Sequence, residues 1–357
     1  MKGLPLICMD DCRIDISNSS QPIGVTDMFP LVAQAGMTTQ LDMFSDEVSS
    51  TLPKAGRQGQ LKRSAMSEDG MVDYLENTGR YRILRKLEPR AVAITIRPEF
   101  PLTGVILDSE TTGLNHRNDE IIEIGAIAFT FDAMGTVGDV IGVYGGLQQP
   151  NVPIPAEITK LTGISDAMVE GQVIDVEALD ALIDPADLII AHNASFDRPF
   201  CEMFSQTFAR KAWACSNAEI DWSSRGYEGT KLGYLIGQAG YFHDGHRAVD
   251  DCFALLEVLT RETSGEMRTA FAELYQASQQ ARVRVFAENS PFDMKDHLKS
   301  RGYRWSDGSD GRPKSWWIEV DEDALDNEFH YLRTEIYRWP DADPPIKRLT
   351  AFDRFRA

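Results

Sequence analysis

Apolar positions and the periods between them divide this chain into three parts. Up to residue 66, Ser, Thr, Gly, Gln, Pro and scattered charges follow one another with no sustained period, and Ser45 to Ser67 reads as linker. Residues 1–66 are therefore expected to be disordered. Glu68 to Glu76 has the spacing of a short amphipathic helix. The basic, partly apolar stretch Tyr81 to Leu87 follows, ahead of Glu88-Pro89, and reads as a segment that packs on the next domain. Residues 67–100 are thus taken as an N-terminal extension.

From residue 101 to 264, strand-like and helix-like stretches alternate. Val105-Ile106-Leu107 is a short apolar run ending at Asp108. Ile121 to Phe129 is rich in β-branched residues, and Val140 to Leu147 is a third strand candidate. Pro150 to Gly171 reads as loop and short helix, Val176 to Ile183 as helix, and Leu188 to Ala191 as a buried strand. Ser195 to Phe208 is expected to be helical, with Pro199 tolerated in its first turn. Ala248 to Thr263 is a further helix. Such alternation predicts an α/β layered domain with a mixed sheet.

The pattern then changes. Gly265 to Gln280 reads as a helical connector, Phe292 to Lys299 as helix, Gly302 to Trp305 as strand and Asp307 to Gly311 as turn. Ser315 to Val320 returns as a strand, and Glu322 to Tyr337 is helical. Residues 265–357 are expected to form a small α+β module. Within it Lys295, Lys299, Arg301, Arg304, Arg312 and Lys314 are interleaved with Tyr303, Trp305, Trp316 and Trp317, a pattern that suits single-stranded nucleic acid and equally a small core with a solvated basic face. Trp316 and Trp317 must point to opposite faces of their strand. Residues 281–357 read as a module that can be deleted without loss of solubility.

Composition and charge sharpen this picture. The 357 residues, 43% of them hydrophobic, suit a soluble globular protein of two or three domains. The N-terminal apolar patch Leu4 to Met9 is too short and too quickly followed by Asp10-Asp11 for a secretory signal, so a cytoplasmic location is expected. The five cysteines (Cys8, Cys12, Cys201, Cys215, Cys252) read as free thiols. A net charge of -19 at first opposes a nucleic-acid partner. Its distribution answers the objection: residues 101–264 hold 9 Lys+Arg against 25 Asp+Glu, whereas the first 100 residues (12 against 13) and the last 93 (15 against 17) are nearly neutral.

The acidic segment concentrates candidate chemistry. In a strand, Asp108 and Glu110 face the same side, and Thr111-Thr112-Gly113 turns the chain beside them. The ends of α/β strands are where such domains keep their sites. Asp197 opens a helix after a strand; it could cap that helix, although Asn193 or Ser195 can take that task. In His246-Arg247-Ala248-Val249-Asp250-Asp251, helix geometry puts Asp251 on the stripe of Leu255 and Val258, facing the sheet, and Asp250 on the wetter face. Four carboxylates repel one another unless cations sit between them, which reads as a two-metal site, and His246 is a base suited to neutral pH.

These residues resemble the DEDDh 3'–5' exonucleases, relatives of the proofreading (epsilon) subunit of bacterial DNA polymerase III. The resemblance rests on Asp108-Ser109-Glu110-Thr111-Thr112-Gly113-Leu114, Ile121-Ile122-Glu123-Ile124-Gly125, Leu161-Thr162-Gly163-Ile164, Ala191 to Asp197, and His246-Arg247-Ala248 followed by Asp251. It covers residues 102–262 or so and implies a ribonuclease-H-like fold, two divalent cations (Mg²⁺ or Mn²⁺) and release of nucleoside 5'-monophosphates from a 3' end. It further implies that Asp108, Glu110 and Asp251 hold one metal, with Asp108 bridging to a second held by Asp197, and that His246 is the general base. Thr111, Thr112 and Leu114, supported by Asn193 and Phe196, are expected to hold the terminal nucleotide. DNA is favoured over RNA as substrate. An exoribonuclease, an inert nucleic-acid-binding scaffold and a polymerase-bound or clamp-bound subunit are the rivals; Gln40-Leu41-Asp42-Met43-Phe44 is the one stretch with a clamp-peptide look.

Overall fold

The computed structural model describes residues 67–262, 268–309 and 311–356. The expected disorder of residues 1–66, the clamp-like stretch 40–44 and Cys8 and Cys12 lie outside the described residues. The chain divides into two units, 1–82 and 83–357. In the first, α1 (Glu68–Glu76) is capped by Ser67, whose hydroxyl accepts from the Gly70 amide at 3.2 Å.

The second unit is built on a five-stranded sheet. Its strands are β1 (Leu102–Thr111), β2 (Ile121–Phe131), β3 (Val137–Leu147), β4 (Leu188–Ala191) and β5 (Trp213–Cys215), in the order β3-β2-β1-β4-β5. The first three run antiparallel, and β4 and β5 add in parallel. This is a mixed sheet flanked by helices, the ribonuclease-H-like arrangement. The period of two in β1 assigns its residues to two cores. Ile106 packs with α4 (Ala248–Thr260) and α5 (Ala270–Ser278), whereas Val105 and Leu107 pack with α2 (Val176–Ile183) and α3 (Ala194–Phe204).

Several elements depart from the sequence reading. The helix expected over 195–208 breaks at Ser205, whose hydroxyl is taken up as acceptor for the Thr207 amide and as donor to Asp180. The helix read from Ala248 ends at Thr260. Arg85–Lys86 pairs in parallel with Tyr241–Phe242, and Leu87 packs on the core, so the basic segment before Glu88 is fixed at its C-terminal end, while Leu84 stays exposed. Residues 265–280 are no mere connector: Phe271 of α5 stands edge-on to both Phe129 and Phe131, at 5.1 Å each, inside the main core.

A second, antiparallel sheet follows, made of β6 (Arg282–Ala287), β7 (Arg304–Ser306), β8 (Ser315–Asp321) and β9 (Ile346–Leu349) in the order β9-β6-β8-β7. One face, with Val283, Val285, Trp316 and Ile318, forms a small core with Leu298, Leu332 and Ile336. The other carries Arg282, Arg284 and Trp317, and β8 thus sends its two tryptophans to opposite sides. After β9 the chain returns to the first sheet, where the Ala351 carbonyl accepts from the Trp213 amide of β5 at 2.8 Å.

Candidate active site

Three carboxylates converge where β1 meets the start of α4. Oxygens of Asp108, Glu110 and Asp251 all lie within 4.8 Å of one another. Backbone geometry dictates this meeting. Asp108 and Glu110 share the Ile106 face of β1, toward α4. Asp108 pairs across the sheet with Gly125 of β2, where a Cβ would lie 2.3 Å from the Ala248 carbonyl carbon. Only glycine at 125 lets α4 approach so closely, and that approach carries Asp251 to the carboxylates.

The neighbouring Glu123, buried in β2, holds the start of α4. Its carboxylate accepts from the Ala248 amide at 3.1 Å and from the Arg247 guanidinium at 2.9 Å. A carboxylate on the first amides of a helix satisfies orphan donors and opposes the helix dipole. Sequence reasoning placed Glu123 in a motif without giving it a task.

Asp197 arrives from the opposite face. Ser109 points to the α3 side, as the alternation of β1 requires, and its hydroxyl donates to Asp197 Oδ1 at 2.7 Å in a buried contact. Asn193 occupies the N-cap position of α3, yet neither it nor Ser195 caps the helix through its side chain; the Ser195 hydroxyl donates to Asn193 Oδ1 at 3.1 Å. The capping expected of that pair is therefore not made, and Asp197 faces Ser109.

His246 sits in the loop before α4 with a left-handed backbone, φ 64°. The imidazole that reaches Asp251 is that of His243, Nε2 to Oδ1 at 2.7 Å, while the Arg247 amide donates to Asp251 Oδ2 at 3.1 Å. Both oxygens of Asp251 are thus oriented.

Electrostatics mark the cluster as a cation site. Burial, then the neighbouring Asp251, Glu123 and Asp197, pushes Glu110 up to about 8. Burial raises Asp197 to about 7, against the opposing pull of the Ser109 hydrogen bond. Asp108 moves strongly in the same direction, by burial and by the charges of Asp251, Asp197 and Glu110. Without a cation, burial and mutual repulsion favour the protonated forms of these groups. A donor set made of oxygen alone fits hard divalent ions such as Mg²⁺ or Mn²⁺.

The expected nucleotide-holding residues lie close in sequence to the carboxylates Glu110 and Asp197. Thr111, the last residue of β1, and Thr112 just after it are buried: the Thr111 hydroxyl donates to the Gly113 carbonyl at 2.5 Å, and Thr112 exchanges bonds with Glu120. Leu114 is exposed just beyond them, and Phe196 packs at 5.0 Å on Phe200. Among the described residues no helix is long and apolar enough to cross a membrane.

The sequence model of the family described as Exonuclease matches residues 105–259. Over 164 residues the chain is 30% identical to the DNA polymerase III subunit epsilon of Treponema pallidum, a match covering 43% of this chain and 73% of that protein. Over 176 residues it is 31% identical to a DNA polymerase III PolC-type of Caldanaerobacter subterraneus, covering 47% of this chain but only 12% of that polymerase. Among solved structures, the zinc-bound complex of E. coli ExoI with single-stranded DNA aligns with 71% of this chain and 63% of its own, at 17% identity and a TM-score of 0.43.

Proposed function

Because the chain belongs to the exonuclease family that includes DNA polymerase III subunit epsilon, we propose that it removes nucleotides one at a time from the 3' end of DNA, releasing nucleoside 5'-monophosphates. The observation that carries this reading is the convergence of Asp108, Glu110 and Asp251 within 4.8 Å, with Asp197 held beside them by Ser109. Asp108, Glu110 and Asp251 would hold one divalent cation, and Asp197 with Asp108 would hold a second. Two Mg²⁺ or Mn²⁺ ions supply there the positive charge that stabilises the transition state at phosphorus and acidifies a water.

The remaining tasks fall to the chain itself. His246 takes the proton of the attacking water as general base. His243 and the Arg247 amide fix the carboxylate of Asp251. Glu123 fixes the helix that bears it. Thr111, Thr112 and Leu114, with Asn193 and Phe196, seat the terminal nucleotide, and the acidic cluster holds no charge that would attract the polyanion unaided. A role beside a polymerase in replication or repair follows from the kinship with epsilon.

The test is digestion of 5'-labelled single-stranded, duplex and mismatched DNA, and of matched RNA, by the full chain with Mg²⁺ or Mn²⁺. A ladder descending by single nucleotides is expected on DNA, with none in EDTA. No ladder on any substrate would overturn the reading, and a ladder on RNA alone would replace DNA by RNA.

A further inference from the structure

The second sheet carries a set of side chains that the proposed chemistry leaves unused. On its small-core face, Trp305 of β7 pairs across the strands with Trp316 of β8, their ring centres 5.4 Å apart. A short helix, α6 (Lys295–Ser300), packs on the same core through Leu298. Lys295 and Lys299 stand one turn apart on it, neighbours on one stripe of the helix. Nζ of Lys299 lies 5.8 Å from the ring centre of Trp316, and Nζ of Lys295 lies 4.5 Å from that of Phe292, in the turn before α6. Phe292, Lys295, Lys299, Trp316 and Trp305 thus follow one another as a continuous row.

Exposure separates this row from a core. Phe292 is 81% exposed and Trp305 51%, whereas Trp316 is partly buried against the small core. Single exposed apolar side chains are ordinary, but aromatic rings joined in a row mark a surface that binds something. The lysines say what. Among the described residues neither Lys295 nor Lys299 has a carboxylate within ion-pair distance, although Asp293 and Asp296 flank Lys295 in sequence. Their charges are held over rings instead. Lysine within an apolar patch suits a protein partner poorly, since lysine is depleted where such interfaces bury their centres. A single strand of nucleic acid answers both features, its bases stacking on rings and its phosphates meeting ammonium groups. The same hairpin is tied to the loop that follows the expected nucleotide-holding residues: Arg117, three residues beyond Leu114, donates to the Ser309 carbonyl in the β7–β8 turn at 3.3 Å.

We propose that Phe292, Trp305 and Trp316, with Lys295 and Lys299 between them, form a base-stacking surface for single-stranded DNA outside the carboxylate cluster. The choice of occupant rests on the exonuclease reading and deepens it, by giving the strand a hold away from its reacting end. A single strand is required because the base faces of a duplex are already stacked on one another. Trp305 and Phe292 are the residues to test, being the most exposed rings of the row.

Binding is measured on the full chain in EDTA, where nothing is cleaved, with two fluorescent 12-mers over a series of salt concentrations: an ordinary single strand, and one whose sugars carry no bases. Trp305→Ala is expected to weaken the ordinary 12-mer roughly 5- to 150-fold, the worth of one stacked base, and to leave the abasic 12-mer and the salt slope unchanged. Phe292→Ala should act in the same direction. Lys295→Ala combined with Lys299→Ala should weaken both 12-mers and lower the salt slope by about 1.4, at ~0.7 per phosphate contact on a single strand. Unchanged affinity for the ordinary 12-mer in both aromatic variants would overturn the proposal. An equal loss on the two 12-mers would overturn it as well, since stacking acts only where there are bases. Should Trp305→Ala lower the Tm, Phe292→Ala decides alone. The one-nucleotide ladder is scored separately: a chain that binds through these rings and makes no ladder fails the exonuclease reading alone, and one that makes a ladder with unchanged binding in the variants fails this surface alone.

Discussion

His243, not His246, holds the carboxylate of Asp251, with 2.7 Å between Nε2 and Oδ1. Two histidines three residues apart therefore have separable tasks. The one hydrogen-bonded to a cation ligand orients that ligand, as groups around metal sites commonly do. The other stands in the loop at φ 64°, and it is His246 that we propose serves the attacking water.

His246→Ala is expected to lower kcat by roughly 10²–10⁴, the usual worth of a positioned general base, with little change in the Mg²⁺ concentration needed for half-maximal rate. His243→Ala should instead raise that Mg²⁺ requirement about tenfold or more, by loosening Asp251. Rates measured across a Mg²⁺ titration separate the two. The assignment fails if His243→Ala carries the larger loss of kcat at saturating Mg²⁺.

Asp108→Ala should abolish hydrolysis and leave the fold intact. It removes a carboxylate that burial and four like charges oppose, so the Tm in EDTA should hold or rise. Near-wild-type turnover by the purified variant would end the two-cation reading.

The same electrostatics set a pH dependence. Folding raises Glu110 to about 8 and Asp197 to about 7, whereas in the unfolded chain such groups titrate at about 4. From about pH 4 to 8 the folded protein binds more protons than the unfolded one, so stability falls as pH rises. In EDTA the Tm should drop between pH 5 and 8, and saturating Mg²⁺, which displaces those protons, should flatten the drop. A metal-free Tm that climbs over this window would contradict the raised carboxylates.

Much of this site is legible locally. The period of two in β1 places Asp108 with Glu110, and the helical stripe of Leu255 and Val258 separates Asp251, which joins the cluster, from Asp250, which lies outside it. What escapes a local reading depends on distant partners. Nothing in Ile122-Glu123-Ile124 says that Glu123 will cap a helix starting 125 residues later. Arg282 to Ala287 alternates like a strand, but its arginines resemble solvated surface until β8 and residues 193–219 close around them. The basic and aromatic residues of the tail split accordingly: Arg301 and Tyr303 are spent on Glu328, Arg304 and Arg312 stand over Trp317, and Trp316 lies between the small core and the exposed Trp305.

Gly125→Ala tests the close packing behind the site. The added methyl would sit 2.3 Å from the Ala248 carbonyl carbon and 2.4 Å from the Val249 amide, both backbone atoms. Relief requires α4 to move off β2, at about 1–3 kcal/mol for overpacking of this kind. A lower Tm is expected together with a raised Mg²⁺ requirement, because Asp251 travels with the helix. A variant with wild-type Tm and Mg²⁺ response would show that α4 is not held by this contact.

Removal of residues 281–357 is the last prediction, and the structure reverses what the sequence suggests for it. Arg198, buried on α3 one residue from Asp197, donates to the carbonyls of Arg354 and Phe352, each at 2.7 Å, and of Ala351 at 3.3 Å. Trp213 at the edge of the main sheet gives its amide to Ala351. Deletion would take the carbonyl acceptors from this buried guanidinium and leave it Glu202 alone, at about 1–3 kcal/mol for each buried donor left unsatisfied. It would also bare the outer edge of β5, a template for aggregation. The truncated chain should therefore be poorly soluble, or melt well below the full chain, whatever its substrate. A milder cut, Arg198→Met in the full chain, should recover part of the difference between them, since it removes the charge that the tail satisfies. If the 1–280 fragment is soluble with the Tm of the full chain, the C-terminal segment is no part of the exonuclease fold.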